Sequence, residues 1–187
     1  MNDLRLTSKQ EVIKAGLNVL YNIGADQICK PCIASGGSCC IDCRFLQPGV
    51  GCQQRNTSCT AWLCGFLKYI FFESGLLLQW ELFWDQVPGQ DYREDYTPDH
   101  FDVITWLDSP NIRFLSKAFA QDLTELLQNR DLFWLLELKE QLDRYVDLWL
   151  DYTDPEIKRA IEKKMNALTN EFRHFHSVKE QWKRGLI

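Results

Sequence analysis

The chain has 187 residues, which is enough for one domain with its own hydrophobic core. Hydrophobic residues make up 45% of it and charged residues 25%, a balance that excludes an intrinsically disordered chain. The net charge of -5 argues against a general attraction to nucleic acid or to an anionic membrane.

The first predicted element is a helix from about Ser8 to Ile23. Ser8 and Glu11 have the spacing of a capping box, apolar residues follow at helical steps, and Gly24 supplies an end. Residues 1–14 mix charged and apolar side chains and lack the apolar stretch of a signal peptide. We therefore expect a cytoplasmic protein.

The next segment, from Cys29 to Cys64, is rich in glycine and proline and shows no apolar periodicity. It holds every cysteine of the chain. These are Cys29, Cys32, Cys39, Cys40, Cys43, Cys52, Cys59 and Cys64. Something other than a hydrophobic core has to order such a segment, and we predict that bound metal does so.

The cysteine spacing predicts metal ligation. Cys29/Cys32 and Cys40/Cys43 have the C-x-x-C spacing by which one tight turn offers two thiolates to one ion. Eight thiolates could fill two tetrathiolate zinc sites, which we prefer, or one [4Fe-4S] cluster with four left over. Which four share a metal stays open, because sequential and interleaved sets fit equally well.

Two other uses of the cysteines are less favoured. A disulfide framework needs an oxidising compartment, and no export signal is found. A redox dithiol at Cys29-Lys30-Pro31-Cys32 needs a thioredoxin-like strand and helix around it, and that pattern is not seen here.

The cysteine string resembles a known family. Cys29-x-x-Cys32, Cys39-Cys40, Cys43, Gly51-Cys52 and Cys59-x-x-x-x-Cys64 are similar to the zinc- or iron-chelating domain family known by its C-x-x-C-x-x-C-C motif. Six residues separate Cys32 from Cys39 where the motif has two. The resemblance, over about a fifth of the chain, implies that all eight cysteines are candidate ligands and that the protein chelates metal. It implies no particular reaction; similar clusters occur in flagellin-modifying and in many uncharacterised bacterial proteins.

Short helices are predicted after the cysteines. Thr60 could cap a helix that runs to Gly75, and a second apolar helix could continue to Val87 before Pro88 ends it. Residues 88–97 are predicted to form an acidic surface loop.

The most hydrophobic stretch of the chain, from Trp62 to Trp84, is predicted to be buried core. Lys68, Glu73 and Glu81 interrupt it, and a membrane span tolerates such charges poorly. We expect no membrane span.

Three later helix starts combine a capping side chain with a following proline: Thr97-Pro98, Ser109-Pro110 and Asp154-Pro155. The last is predicted to begin one long amphipathic helix. Residues 114–150 fit either one long helix or a hairpin of two. Strand signals are absent throughout.

The predicted fold is therefore mainly α. It is a single domain over residues 1–187, with an N-terminal helix at 8–23, an irregular metal-binding segment at 29–64 and a helical bundle at 65–187.

Charge is unevenly distributed along this bundle. Residues 81–108 contain eight acids and one base, whereas residues 155–187 contain eight bases and four acids. The two segments could attract each other; otherwise the first could dock a basic partner, and the basic C-terminal helix could bind nucleic acid. His174 and His176 point in different directions on a helix, so we do not expect them to share a metal.

These features predict a metal-binding protein in which a cysteine-ligated zinc cluster orders a helical scaffold for a protein partner. The alternative is a [4Fe-4S] protein with a redox or enzymatic role. Because no catalytic motif is found, the catalytic residues are unknown and enzymatic activity stays an open question.

Overall fold

The structure is a computed structural model that describes residues 4–39, 43, 45–47, 50–53, 55–91 and 94–187. Within these residues the chain is mainly α, as predicted, with nine helices and three short antiparallel strand pairs. In chain order the elements are β1 (Arg5–Ser8), α1 (Lys9–Ile23), α2 (Ala25–Ala34), β2 (Leu46–Gln47), β3 (Gly51–Cys52), α3 (Thr57–Ala61), α4 (Gly65–Glu73), α5 (Leu77–Trp84), β4 (Gln90–Asp91), β5 (Glu94–Asp95), β6 (His100–Val103), α6 (Arg113–Leu126), α7 (Leu132–Asp151), α8 (Pro155–Leu168) and α9 (Arg173–Lys183).

Two of the predicted helix starts are confirmed by their hydrogen bonds. The Ser8 hydroxyl accepts the Glu11 N–H at 3.3 Å, and the Glu11 carboxylate accepts the Ser8 N–H at 2.9 Å, which completes the capping box of α1. Gly24 ends α1 with a φ of 84°. The Asp154 carboxylate accepts the Glu156 N–H at 2.7 Å and so caps α8.

The helix starts predicted at Thr97-Pro98 and Ser109-Pro110 are wrong. Thr97 is buried, and its hydroxyl lies 2.8 Å from that of Thr57. The Ser109 hydroxyl accepts a hydrogen bond from the Asn22 side chain at 2.8 Å, and α6 begins only at Arg113. In both places a tertiary hydrogen bond occupies the group that would have capped a helix.

The prediction that the chain lacks strands is also wrong. β1 pairs with β6 in antiparallel register, from Arg5 opposite Val103 to Ser8 opposite His100. Val103 is buried, and Leu6, on the other side of the pair, is 69% exposed. A strand of four residues is too short for its alternation of buried and exposed side chains to stand out in the sequence. Its partner strand, moreover, lies far along the chain.

The bundle is centred on buried aromatic rings from four segments. Phe119 of α6 stacks on Phe172 at 4.6 Å and meets Phe66 of α4 at 5.7 Å. Phe175 of α9 contacts both Phe119 and Tyr69, and all five rings are fully buried. Each such ring contributes about 2–3 kcal/mol by burial, so this cluster fixes α4 against α6 and α9.

The C-terminal half contains more breaks than predicted. Residues 114–150 fall in two helices, α6 and α7, and not in one, but the two do not pack as a hairpin: α6 lies against α2 and α9, and α7 against α4 and α8. The single long helix predicted from Asp154 is wrong, because the chain turns at residues 169–172 and continues as α9.

Within the described residues, no helix combines the length and apolarity that a membrane span needs. The hydrophobic stretch from Trp62 to Trp84 instead supplies α4 and α5. Most of its side chains are buried, including Phe66, Phe71 and Phe83.

Candidate metal centre

The first two cysteines lie on helix α2, not in the tight turn that their spacing was taken to predict. Cys29 and Cys32 are three residues apart and therefore share a helix face. Cys32 is 6% exposed and Cys29 is half-buried. The shared face leaves both thiols available to one centre.

A glycine turn after α2 brings the chain back over these thiols. Gly36, with a φ of 86°, donates its N–H to Ile33 O at 3.0 Å, and Gly37 donates to Cys32 O at 2.8 Å. A Cβ on Gly37 would lie 2.5 Å from the Cys32 sulfur. The chain can therefore pass this close to Cys32 only without a side chain, and the turn directs Cys39 towards α2.

Cys64, at the start of α4, is the fourth cysteine near Cys29, Cys32 and Cys39. The helix predicted to start at Thr60 is instead two helices, because Thr60 lies within α3 and Cys64 directly precedes α4. Cys64 is 5% exposed. A Cβ on Gly65 would lie 1.9 Å from the backbone oxygen of Lys139, so α4 packs tightly against α7 beside this cysteine.

Cys39 lies close to two of the other cysteines. Interaction with the Cys29 and Cys64 side chains lowers the pKa of Cys39 well below its usual value. The same interactions, together with burial, raise the pKa values of Cys29 and Cys64. Burial raises the pKa of Cys32. The four side chains are thus near enough to act on one another's charge.

Two cations face this group. The charges of Arg55 and Lys139 lower the pKa of Cys39, and Arg55 also acts on Cys29. Lys139 is held in place because its ammonium donates to Ser38 O at 3.0 Å. Both cations lower the electrostatic cost of collecting thiolates at one point.

This group of four cysteines, Cys29, Cys32, Cys39 and Cys64, has the donor chemistry of a tetrathiolate site. A tetrahedral zinc site with Zn–S bonds of about 2.3 Å places its sulfurs about 3.8 Å apart. Among the described residues, no three cysteine sulfurs all lie within 4.8 Å of one another. The four residues carry the sulfur donors that a thiophilic metal prefers, and they lie in one part of the fold. To bind one ion, their sulfurs would have to move closer together.

The other described cysteines lie on different elements. Cys52 stands opposite Leu46 in the β2–β3 pair, and Cys43 accepts the Leu46 N–H through its backbone oxygen. Cys59 lies on α3, and its N–H is accepted by the Asn56 side chain at 2.8 Å. The predicted ligand Cys40 lies outside the described residues. None of the seven described cysteines forms a disulfide.

Asp95 anchors α3, the helix that carries Cys59. Its carboxylate accepts the Thr57 hydroxyl at 2.7 Å and pairs with Lys9 at 3.0 Å. The predicted acidic surface loop at 88–97 is therefore wrong in part, since it contains the β4–β5 pair and this partly buried acid. Burial raises the pKa of Asp95, but the hydrogen bonds from Thr57, Lys9 and Thr97 outweigh it and lower the pKa to about 2.

Asp95→Asn is expected to destabilise the protein at neutral pH by about 1–3 kcal/mol, because it weakens charged hydrogen bonds. A carboxylate with a lowered pKa in the folded state stabilises above its unfolded pKa, near 4, and loses this effect as pH falls towards 2. Urea unfolding at several pH values should show the difference between wild type and variant shrinking from pH 4 to 2. The exposed Asp108→Asn serves as control and should give no comparable difference at neutral pH.

A second group of side chains, missed in the sequence, lies between α6 and α9. Ligand atoms of Asp122, Glu125 and His174 all lie within 4.8 Å of one another. Asp122 is 2% exposed, and its carboxylate accepts the N–H groups of His174 at 3.1 Å and Phe175 at 2.8 Å. It therefore acts as the cap of α9. The sequence signal for this group was Asp122 itself, an acid among the apolar residues of α6 that are predicted to be buried, between Phe119 and Leu123.

His174 and His176 have different partners. The His174 ring lies 3.3 Å from Glu125 and 3.0 Å from the Gln121 amide. The His176 ring instead lies 2.8 Å from the backbone oxygen of Thr169.

Asp122→Ala is expected to lower the free energy of unfolding by about 2 kcal/mol, because α9 loses its cap in a buried place. Metal content should stay at the wild-type level. His174→Ala, which keeps the cap, is the matched control and should change neither quantity. Chemical denaturation and elemental analysis of both variants check this, and metal lost from both variants alike would show that the group binds an ion.

Comparison of the chain with models of known protein families found no match, and comparisons with curated proteins and with solved structures found none either. The likeness to the C-x-x-C-x-x-C-C family therefore rests on the cysteine string alone.

Proposed function

We propose that the chain is a zinc-binding protein in which Cys29, Cys32, Cys39 and Cys64 share one ion. The observation that carries the proposal is that Cys39 lies near both Cys29 of α2 and Cys64 at the start of α4, so that each of them affects its pKa. Cysteines from three separate parts of the chain are therefore neighbours, and the charges of Arg55 and Lys139 act on the same place. An ion in their midst would replace the thiol protons as the positive partner of the thiolates.

Zinc is proposed because the four donors make a complete set of thiolates, of which Cys32 and Cys64 are buried and Cys29 and Cys39 partly exposed. Structural zinc sites use four protein ligands and leave no open position, whereas catalytic sites keep one. With two of the donors only 5–6% exposed, the site is suited to holding structure together. The remaining cysteines, Cys40, Cys43, Cys52 and Cys59, are the donors for the second ion that their number predicts.

The same thiolates would serve a [4Fe-4S] cluster, which is the alternative. Anaerobic purification followed by elemental analysis, sulfide assay and a visible spectrum separates the two. We expect a colourless protein with about two zinc ions per chain, since each tetrathiolate site uses four cysteines. A brown protein with iron and labile sulfide would overturn the zinc proposal and support a redox or enzymatic role.

In this proposal the metal ties the cysteine-rich segment to a helical scaffold that binds a protein partner in the cytoplasm. Nucleic-acid binding by residues 155–187 stays a prediction, but several of their basic side chains already have partners within the protein. Lys179 is buried against Glu73 at 3.0 Å, Lys183 pairs with the same carboxylate, and Lys158 lies over the Trp149 ring.

A further inference from the structure

One side of the molecule carries four exposed aliphatic side chains on neighbouring elements. They form what we call the apolar face: Leu6, Leu78, Leu82 and Ile104, which are 69%, 62%, 51% and 53% exposed. Leu78 and Leu82 are one turn apart on α5. Leu6 stands opposite Asp102 in the β1–β6 pair, and Ile104 directly follows β6.

A single glutamine joins the helix and strand parts of the apolar face. The Gln86 amide nitrogen donates to Leu82 O at 2.9 Å, and the amide oxygen accepts the N–H groups of Ile104 at 2.6 Å and Thr105 at 2.9 Å. The backbones of Leu82 and Ile104 are thus one side chain apart. These hydrogen bonds fix the helix part of the apolar face beside its strand part, so its leucines and isoleucine are neighbours and not scattered single residues.

The charges around the apolar face are mostly negative. Asp102 lies beside Leu6 and Ile104, Asp85 continues the outer stripe of α5 one turn beyond Leu82, and Asp108 is also exposed. The nearby cation Arg5 stacks over the Trp106 ring at 3.9 Å. An acidic rim repels nucleic acid and anionic membranes and attracts lysine and arginine side chains.

We propose that the apolar face docks a basic amphipathic segment of a protein partner. The segment would have aliphatic residues at helical spacing to cover Leu78, Leu82 and Ile104, and lysine or arginine residues beside them to meet Asp85 and Asp102. This inference goes beyond metal binding and does not depend on it, because the cysteine sulfurs are not part of the face.

The test uses two labelled helical peptides that share one leucine face. The first has lysine on its polar positions and the second has glutamate. Fluorescence anisotropy with the full chain as purified is expected to show saturable binding of the lysine peptide below about 100 µM. The glutamate peptide should bind at least about tenfold more weakly. Equal affinities, or no saturable binding of the lysine peptide, would overturn the proposal.

The double variant Leu82→Ser/Ile104→Ser separates docking on this face from general attraction to an acidic protein. It is expected to weaken binding of the lysine peptide about tenfold or more, since two central apolar contacts are removed. Phe133→Ser is the matched control, because Phe133 is 74% exposed on α7 and should not affect binding. Circular dichroism checks that both variants are folded.

Two further outcomes are decisive. Unchanged binding to the double variant would show that the apolar face is not the docking site. The second outcome is that the wild type binds neither peptide but sediments as a dimer, and that the double variant is a monomer. This result would assign the apolar face to a second copy of the chain and overturn the proposal of a basic partner.

Discussion

Cys39→Ser is expected to lose at least one metal equivalent per chain and to lower the free energy of unfolding by about 3 kcal/mol or more. Cys39 is the cysteine that lies near both Cys29 and Cys64, so its loss removes the ligand between α2 and the start of α4. A serine oxygen is a poor ligand for a thiophilic ion. Elemental analysis and chemical denaturation of the purified variant check both parts.

Cys59→Ser is the matched control for this prediction, because Cys59 lies on α3 and belongs to the proposed second set. It is expected to retain the ion held by Cys39. If Cys39→Ser kept the full metal content of the wild type, or if Cys59→Ser lost all metal, the proposed ligand set would be wrong.

Gly65→Ala is expected to destabilise the protein by about 3 kcal/mol, a large effect for a single methyl group. The new Cβ would be 1.9 Å from Lys139 O, and the obstacle is backbone that no side-chain rotation can move. α4 would have to shift away from α7, and Cys64 would move with it. Thermal and urea unfolding should show the loss of stability, and metal affinity should fall with it.

Gly75→Ala tests whether the effect of Gly65→Ala comes from crowding. Gly75 follows the same helix and has a φ of 73°, but a Cβ there meets nothing within 4 Å. Only backbone strain of about 1 kcal/mol is expected, with metal content unchanged. An equal loss of stability in the two variants would contradict the tight packing of α4 on α7.

Local signals in the sequence predicted those helix ends that depend on neighbouring residues alone. Ser8 with Glu11, and Asp154 with Pro155, form caps within one turn, so nothing distant can easily displace them. Thr97 has the same chemistry but is engaged by Thr57 across the fold. A cap motif therefore predicts a helix only where no tertiary partner competes for its side chain.

The sequence named the candidate residues of the site but not their arrangement. The confinement and spacing of the cysteines mark all eight as candidate ligands. The grouping of Cys39 with Cys64 depends on the glycine turn after α2 and on the packing of α4 against α7, which no spacing encodes. The cap provided by Asp122 likewise depends on the approach of α9, more than fifty positions away.

Chelation of the native protein tests most directly whether bound metal orders the cysteine-rich segment. Protein purified without added metal is analysed for zinc and iron, and its thermal unfolding is followed before and after treatment with a strong chelator. We predict that the metal is present at the start and that its removal lowers both Tm and the near-ultraviolet dichroism together. A folded protein free of both metals, with an unfolding curve that the chelator leaves unchanged, would contradict the account.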